Sequence, residues 1–163
     1  MDHAYGLLTD FFGKQGWNYI QSSQWPAIQV NITSESGRWT CLAIVEEKSE
    51  YITFISRFPS RALGRRVSAC AELIARINFV LRMGAFSMNY EDGEICFRTC
   101  LPIAPAEATS AMIERLVLVN LRIVDHFYGP IMRVLHGGVS PSEALAKAKE
   151  KETENPEPRF DLN

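Results

Sequence analysis

The spacing of apolar residues switches along this chain between a helical period of about 3.6 and a strand period of two. Tyr5, Leu8 and Phe12, joined by Leu7 and Phe11, share one face of a helix predicted over residues 2–15, and Gly16 is placed to stop it. Trp17 to Gln21 alternates weakly and reads either as a first strand or as an irregular lead-in. Trp25-Pro26 is an extended break, because proline disfavours helix at the residue before it. Ile28, Val30 and Ile32 then alternate with Gln29, Asn31 and Thr33, the pattern of a half-buried strand. After a turn at Ser34 to Gly37, residues 38–46 carry Trp39, Cys41, Ala43 and Val45 on one face and Thr40, Leu42 and Ile44 on the other. A strand apolar on both faces is expected in a central position with something covering each side. Residues 50–58 form a third strand, and the short connections predict an antiparallel meander.

Pro59 ends that strand. Ser60 is a candidate N-cap for a helix to about Met83, with Leu63, Val67, Cys70, Ile74, Ile77 and Leu81 spaced alternately four and three apart. Gly84 closes it, and residues 85–90 and 94–101 follow as a hairpin turned at Asp92-Gly93. Thr109 or Ser110 caps a long helix through Met112, Ile113, Leu116, Val119, Ile123 and Phe127, which Pro130 is expected to kink or end, with Ile131 to Leu135 able to resume as a further helical turn closed by Gly137-Gly138. Ser140-Pro141-Ser142-Glu143 starts a short helix reaching about Lys149. Residues 151–163 are polar, carry two prolines and are expected to be disordered, with Phe160 and Leu162 able to dock. The predicted layout is α+β: a five-stranded antiparallel sheet with helices on one face, in the order α-β-β-β-α-β-β-α. It forms one domain over residues 1–150, of which 137–150 are a helical extension.

Gly37-Arg38-Trp39, the step Arg76-Ile77-Asn78 late in a helix, and the hairpin Tyr90-Glu91-Asp92-Gly93-Glu94-Ile95-Cys96-Phe97-Arg98 occur in the order typical of one group of proteins. In this ordered set the chain resembles the bacterial YbjN domain family over residues 15–146. Gly137-Gly138-Val139-Ser140-Pro141-Ser142-Glu143-Ala144 also looks like the ending of some members. The resemblance implies a fold like that of the type III secretion chaperones, with an order of elements that agrees with the one read from the residues. It implies no catalytic activity, and it implies binding of partner polypeptides or a part in regulation.

With 47% hydrophobic and 22% charged residues, 163 residues are enough for one core without disulfides. Cys41, Cys70, Cys96 and Cys100 form no CxxC and are expected to be reduced and buried. A net charge of −2 weighs against a general nucleic-acid binder. No signal-peptide pattern opens the chain, and no apolar run approaches the roughly 18–20 residues that span a bilayer. A cytoplasmic location is therefore expected, away from the membrane.

Candidate chemistry is sparse. No P-loop, GxGxxG, GxSxG or HExxH occurs, and no catalytic, cofactor or metal residues are assigned. His126 has no evident second titrating group, and Glu91, Asp92 and Glu94 lack the spacing of a calcium loop. Arg57, Arg61, Arg65, Arg66, Arg76 and Arg82 fall within one segment against Glu72 alone. Arg57, Arg61 and Arg65 could flank one end of the middle helix and recognise phosphate or carboxylate. Asn78 and Asn120 interrupt apolar helical stretches and are expected to bond backbone at strand ends or loops. Leu42 and Ile44 oppose the Trp39 set, so one face of that strand needs a cover; Trp17 and Trp25 are candidate interface residues, with the core as the alternative. The expected function is a non-enzymatic protein-binding module, chaperone-like or regulatory, acting as a homodimer on another polypeptide. The alternative is a regulator that binds nucleic acid or a phosphate ligand through the arginine-rich helix.

Overall fold

A computed structural model describes residues 2–46, 48–105, 107–154 and 160–161, with side chains described between 3 and 148. The chain folds as helix α1 (Asp2–Lys14), strands β1 (Tyr19–Gln21), β2 (Ala27–Ser34), β3 (Arg38–Glu46) and β4 (Tyr51–Arg57), and helix α2 (Arg66–Val80). Strands β5 (Ala85–Met88) and β6 (Ile95–Pro102), helices α3 (Ser110–His136) and α4 (Pro141–Glu154), and strand β7 (Phe160–Asp161) follow. The sheet is antiparallel throughout, in the order β1-β2-β3-β4-β6-β5, with β7 pairing the end of β2 that β1 leaves open.

The α+β class and antiparallel sheet agree with the sequence, but five strands become six in the main order. The added strand is β1, where Tyr19, Ile20 and Gln21 pair with Val30, Gln29 and Ile28. Three residues are too few for alternation to speak for itself, and the longer partner supplies the ladder. Beyond the expected helix end near Lys149, Ala-, Lys- and Glu-rich sequence continues α4 to Glu154. Of the tail expected to be disordered, Phe160 and Asp161 pair with Ser34 and Thr33. Leu162 lies outside the described residues.

One face of the sheet carries the helices. Register aligns Ile28, Val30 and Ile32 with Ala43, Cys41 and Trp39, and these in turn with Phe54 and Ser56 of β4. These side chains are buried beneath Leu8 and Phe12 of α1 and Ile113, Leu116, Val117, Leu121 and Val124 of α3. The rings of Phe12 and Phe54 stack with centroids 6.4 Å apart. Burial of these side chains, each contributing on the order of 2 kcal/mol, holds helices to sheet.

Two local expectations are corrected, and one is decided between its alternatives. Helix α2 begins at Arg66, not after Ser60, because the preceding loop is bonded to the hairpin turn: Ala62 N–H donates to Gly93 O at 2.8 Å. Ser60 instead meets the His136 ring at 2.9 Å, and Leu63 is exposed rather than part of the buried stripe. Helix α3 does not stop at Pro130 but runs on to His136. Proline removes one helical hydrogen bond, but Tyr128, Ile131, Val134 and Leu135 bury both flanks and hold the helix together. Of the four cysteines expected to be buried, Cys41 and Cys70 are, whereas Cys96 is half-buried and Cys100 exposed, because both lie on the opposite face of β6. Burial pushes the Cys41 thiol up to about 12.

Asn78 bonds a strand-end backbone as the sequence leads one to expect, whereas Asn120 bonds backbone within the strands and side chains besides. Asn78 donates to Phe86 O and accepts from Phe86 N–H, both at 2.9 Å, and so locks the end of α2 to β5. Asn120, fully buried on α3, donates to Phe54 O at 3.0 Å, Phe97 O at 3.4 Å and Thr99 Oγ1 at 3.2 Å. Its Oδ1 accepts from Ser56 Oγ at 2.6 Å, and Ser56 in turn accepts from Trp39 Nε1 at 3.1 Å. One amide thus ties α3 to polar groups of β4 and β6 beneath it.

Candidate polypeptide interface

The face of the sheet away from α1, α2 and α3 is built by the alternate residues of the same strands. Its middle row runs Ile20, Gln29, Leu42, Ile55 and Arg98 across β1, β2, β3, β4 and β6. The next row holds Ala27, Ile44, Thr53 and Cys100. On the other side of the middle row lie Asn31, Thr40, Arg57 and Cys96. The two-faced pattern of β3 therefore puts Leu42 and Ile44, both half-buried, on a surface with no helix over it among the described residues.

A tight loop at residues 22–26 builds one wall. Ser22 Oγ accepts from the backbone N–H groups of Gln24 and Trp25, each at 3.2 Å. Ser22 N–H donates to Ala27 O at 2.9 Å, and Val45 N–H donates to Pro26 O at 3.0 Å. The loop is thereby fixed to β2 and β3, yet its Trp25 is 70% exposed. Trp25, Ile20, Leu42 and Ile44 line an open cleft of about 870 Å³, with Gln29 on its floor and Glu46 and Lys48 at one end. Glu46 is already engaged, accepting from Thr53 Oγ1 at 2.7 Å and Ser49 Oγ at 3.0 Å.

The candidate residues named from sequence do not all gather here. Leu42, Ile44 and Trp25 do. Trp17 is corrected to the core: it is 7% exposed and packs against Phe11 and Phe12 at centroid distances of 5.8 and 5.7 Å. Its backbone N–H bonds to Phe12 O, which turns the indole inward as α1 ends. Arg61 and Arg65 lie in the loop before α2, and Arg57 at the end of β4. Arg61 holds Asp92 at 2.6 Å, Arg57 stands 3.9 Å from Glu94, and Arg76 holds Glu72 at 2.8 Å. The Asp92 carboxyl lies below its usual range, chiefly because Glu94 N–H bonds it and then because of Arg61. Three arginines of the basic segment thus face carboxylates of the same chain, which weakens the phosphate reading. Ile20, Ile55 and Arg98 were not anticipated at the surface site. Ile20 would have been found by aligning the short strand against Gln29, but nothing in its own three residues sets that register.

Among the described residues no group of three histidine, cysteine or acidic side chains is arranged to hold a metal ion. No helix among them is long and apolar enough to cross a membrane.

No protein-family model matches the sequence, and no curated protein matches it. Solved structures do match. YbjN from E. coli, proposed as a transcription regulator, has a TM-score of 0.60 at 10% identity, over 82% of this chain and 92% of that one. The chain has the YbjN fold. The HopA1–SchA chaperone–effector complex has a TM-score of 0.50 at 10% identity, covering 74% of this chain and 89% of the other. The ExsC–ExsE complex has 0.50 at 12% identity, covering 77% and 90%. The fold is therefore chaperone-like, as the ordered sequence elements implied.

Proposed function

We propose that this chain is a cytoplasmic, non-enzymatic protein-binding module, chaperone-like or a regulatory adaptor, which works as a homodimer and receives another polypeptide on the helix-free face of its sheet. The observation that carries the reading is Trp25, held by a hydrogen-bonded loop beside a cleft of Ile20, Leu42 and Ile44 with most of its indole in solvent. Tryptophan in such a setting supplies large contact area at little entropic cost. The likeness to one chaperone–effector complex and to the ExsC–ExsE complex supports a polypeptide as occupant. A photo-crosslinking residue placed at Leu42 in the full chain is expected to trap a polypeptide, and one at exposed Glu114 on α3 is not. Trp25→Ala should lower the yield at position 42 several-fold while leaving stability within about 0.5 kcal/mol. Equal yields at 42 and 114, or no change with Trp25→Ala, would remove the reading.

The dimer draws on a second surface. Phe79, 90% exposed, and Val80 close α2 beside the outer edge of β5. A second copy covering them would remove that apolar area from water. Light scattering is expected to give twice the protomer mass for the native chain and the protomer mass for Phe79→Ser. A native protomer at high concentration would end this part.

A further inference from the structure

The helix-free face changes character across its width. Cleft residues Ile20, Trp25, Leu42 and Ile44 occupy one side, and Arg38, Arg57 and Arg98 occupy outward positions on β3, β4 and β6. On strands β1 to β6 the outward positions hold these three arginines against Glu46 alone, although the whole chain carries a net charge of −2. Arg38 and Arg98 form no ion pair among the described residues, while Arg57 is only loosely engaged, 3.9 Å from Glu94. Arg98 lies two strands from Leu42, a separation of about 10 Å, which an extended peptide covers in about three residues. Glu46 lies four residues along β3 from Leu42, in the row of Tyr51 and Pro102; its carboxylate is already held by Thr53 and Ser49, and it shares that end of the cleft with Lys48.

We infer that this face takes an extended peptide in which an apolar stretch is flanked on one side by aspartate or glutamate, the apolar residues seated between Trp25, Ile20, Leu42 and Ile44 and the carboxylates reaching Arg98. The inference rests on the polypeptide-binding reading and adds to it the chemistry of the partner. The side on which the carboxylates lie follows from the arginines: across the strands from Leu42, on β4 and β6, Arg57 and Arg98 offer planar donors suited to carboxylates, whereas the β1 side of the cleft is lined by Ile20, Ser22 and Trp25. The phosphate of a nucleic acid would find the same arginines, but it has no use for the apolar floor two strands away.

Tryptophan emission provides the readout, because Trp17 and Trp39 are buried and Trp25 is the quencher-accessible indole. The probes are short synthetic peptides with one leucine–phenylalanine core, flanked by aspartate, asparagine or lysine. In the native full chain, the aspartate peptide should protect Trp25 from acrylamide at about fivefold lower concentration than the asparagine peptide in low salt. That margin should shrink in high salt, and the lysine peptide should be weakest. Arg98→Glu should reverse the order, and Arg98→Gln, which keeps a polar side chain of similar reach, should abolish the margin. Equal protection by all three peptides would overturn the inference and leave polypeptide binding standing. An aspartate preference unchanged in Arg98→Gln would overturn the role given to Arg98. Protection by none of them would overturn both the inference and the reading beneath it.

Discussion

Asn120→Ala is expected to cost about 3–5 kcal/mol of folding stability, which is large for a single side chain. The native amide donates to the carbonyls of Phe54 and Phe97 and to Thr99, and accepts from Ser56. Alanine leaves these groups buried with fewer partners, at about 1–3 kcal/mol for each one left unsatisfied. It also opens a small void between α3 and the sheet. Ser56 then keeps only Trp39 and Cys41 as hydrogen-bond neighbours. Asn120→Asp should do no better, because a carboxylate can accept from Ser56 but cannot donate to Phe54 O, and ionising it there costs more than the amide does. Urea unfolding should show a lower midpoint with an unchanged slope. A loss below about 1 kcal/mol would mean that water replaces the amide and that the network does not hold α3 in place.

Asn120 also marks how far the sequence could be read. Its helix was legible because Ile113, Leu116 and Ile123 recur at helical spacing, and its polarity in that setting called for backbone partners. Which backbone, sixty-odd residues away on β4, depends on packing that no local pattern encodes. The same division applies to the surface site. Leu42 and Ile44 were legible as an apolar pair opposed to the Trp39 set because β3 is long and alternates cleanly, but which of the two faces the helices cover depends on packing. Ile20 was not, because β1 borrows its register from β2. Trp17 and Trp25 looked alike in sequence, and a hydrogen bond from the backbone of Trp17 to Phe12 O sends one inward, while the Ser22 turn sends the other out. The pairing of the basic segment was only partly legible: the Arg76–Glu72 contact follows from i, i+4 spacing, whereas charge counted along the chain does not show the acidic hairpin tip, thirty-odd residues later, that Arg57 and Arg61 meet in space. Helix α3 passes Pro130 because buried contacts on both sides exceed the one bond that proline removes.

Gly93→Ala is the second large effect, expected at about 3–4 kcal/mol. Gly93 has a φ of 73°, a left-handed conformation that costs an L-residue about 1–2 kcal/mol by itself. A Cβ there would collide with the carbonyl oxygen of Ala62, and a backbone atom cannot rotate aside as a side-chain tip can. The loop at residues 59–65 would have to lift from the hairpin, straining the Ala62 N–H to Gly93 O bond and the Arg61–Asp92 pair together. Gly16→Ala separates the two causes, since Gly16 has a φ of 68° and a Cβ there would meet nothing within 4 Å. It should lose only the conformational part, about 1–2 kcal/mol. If both variants unfold at the same urea midpoint, the contact between hairpin and loop contributes nothing, and the late start of α2 needs another cause. If Gly93→Ala falls well below Gly16→Ala, the turn residue that the sequence marks as a hairpin signal also acts as the seat for the loop leading into α2, which is why no side chain larger than hydrogen fits there.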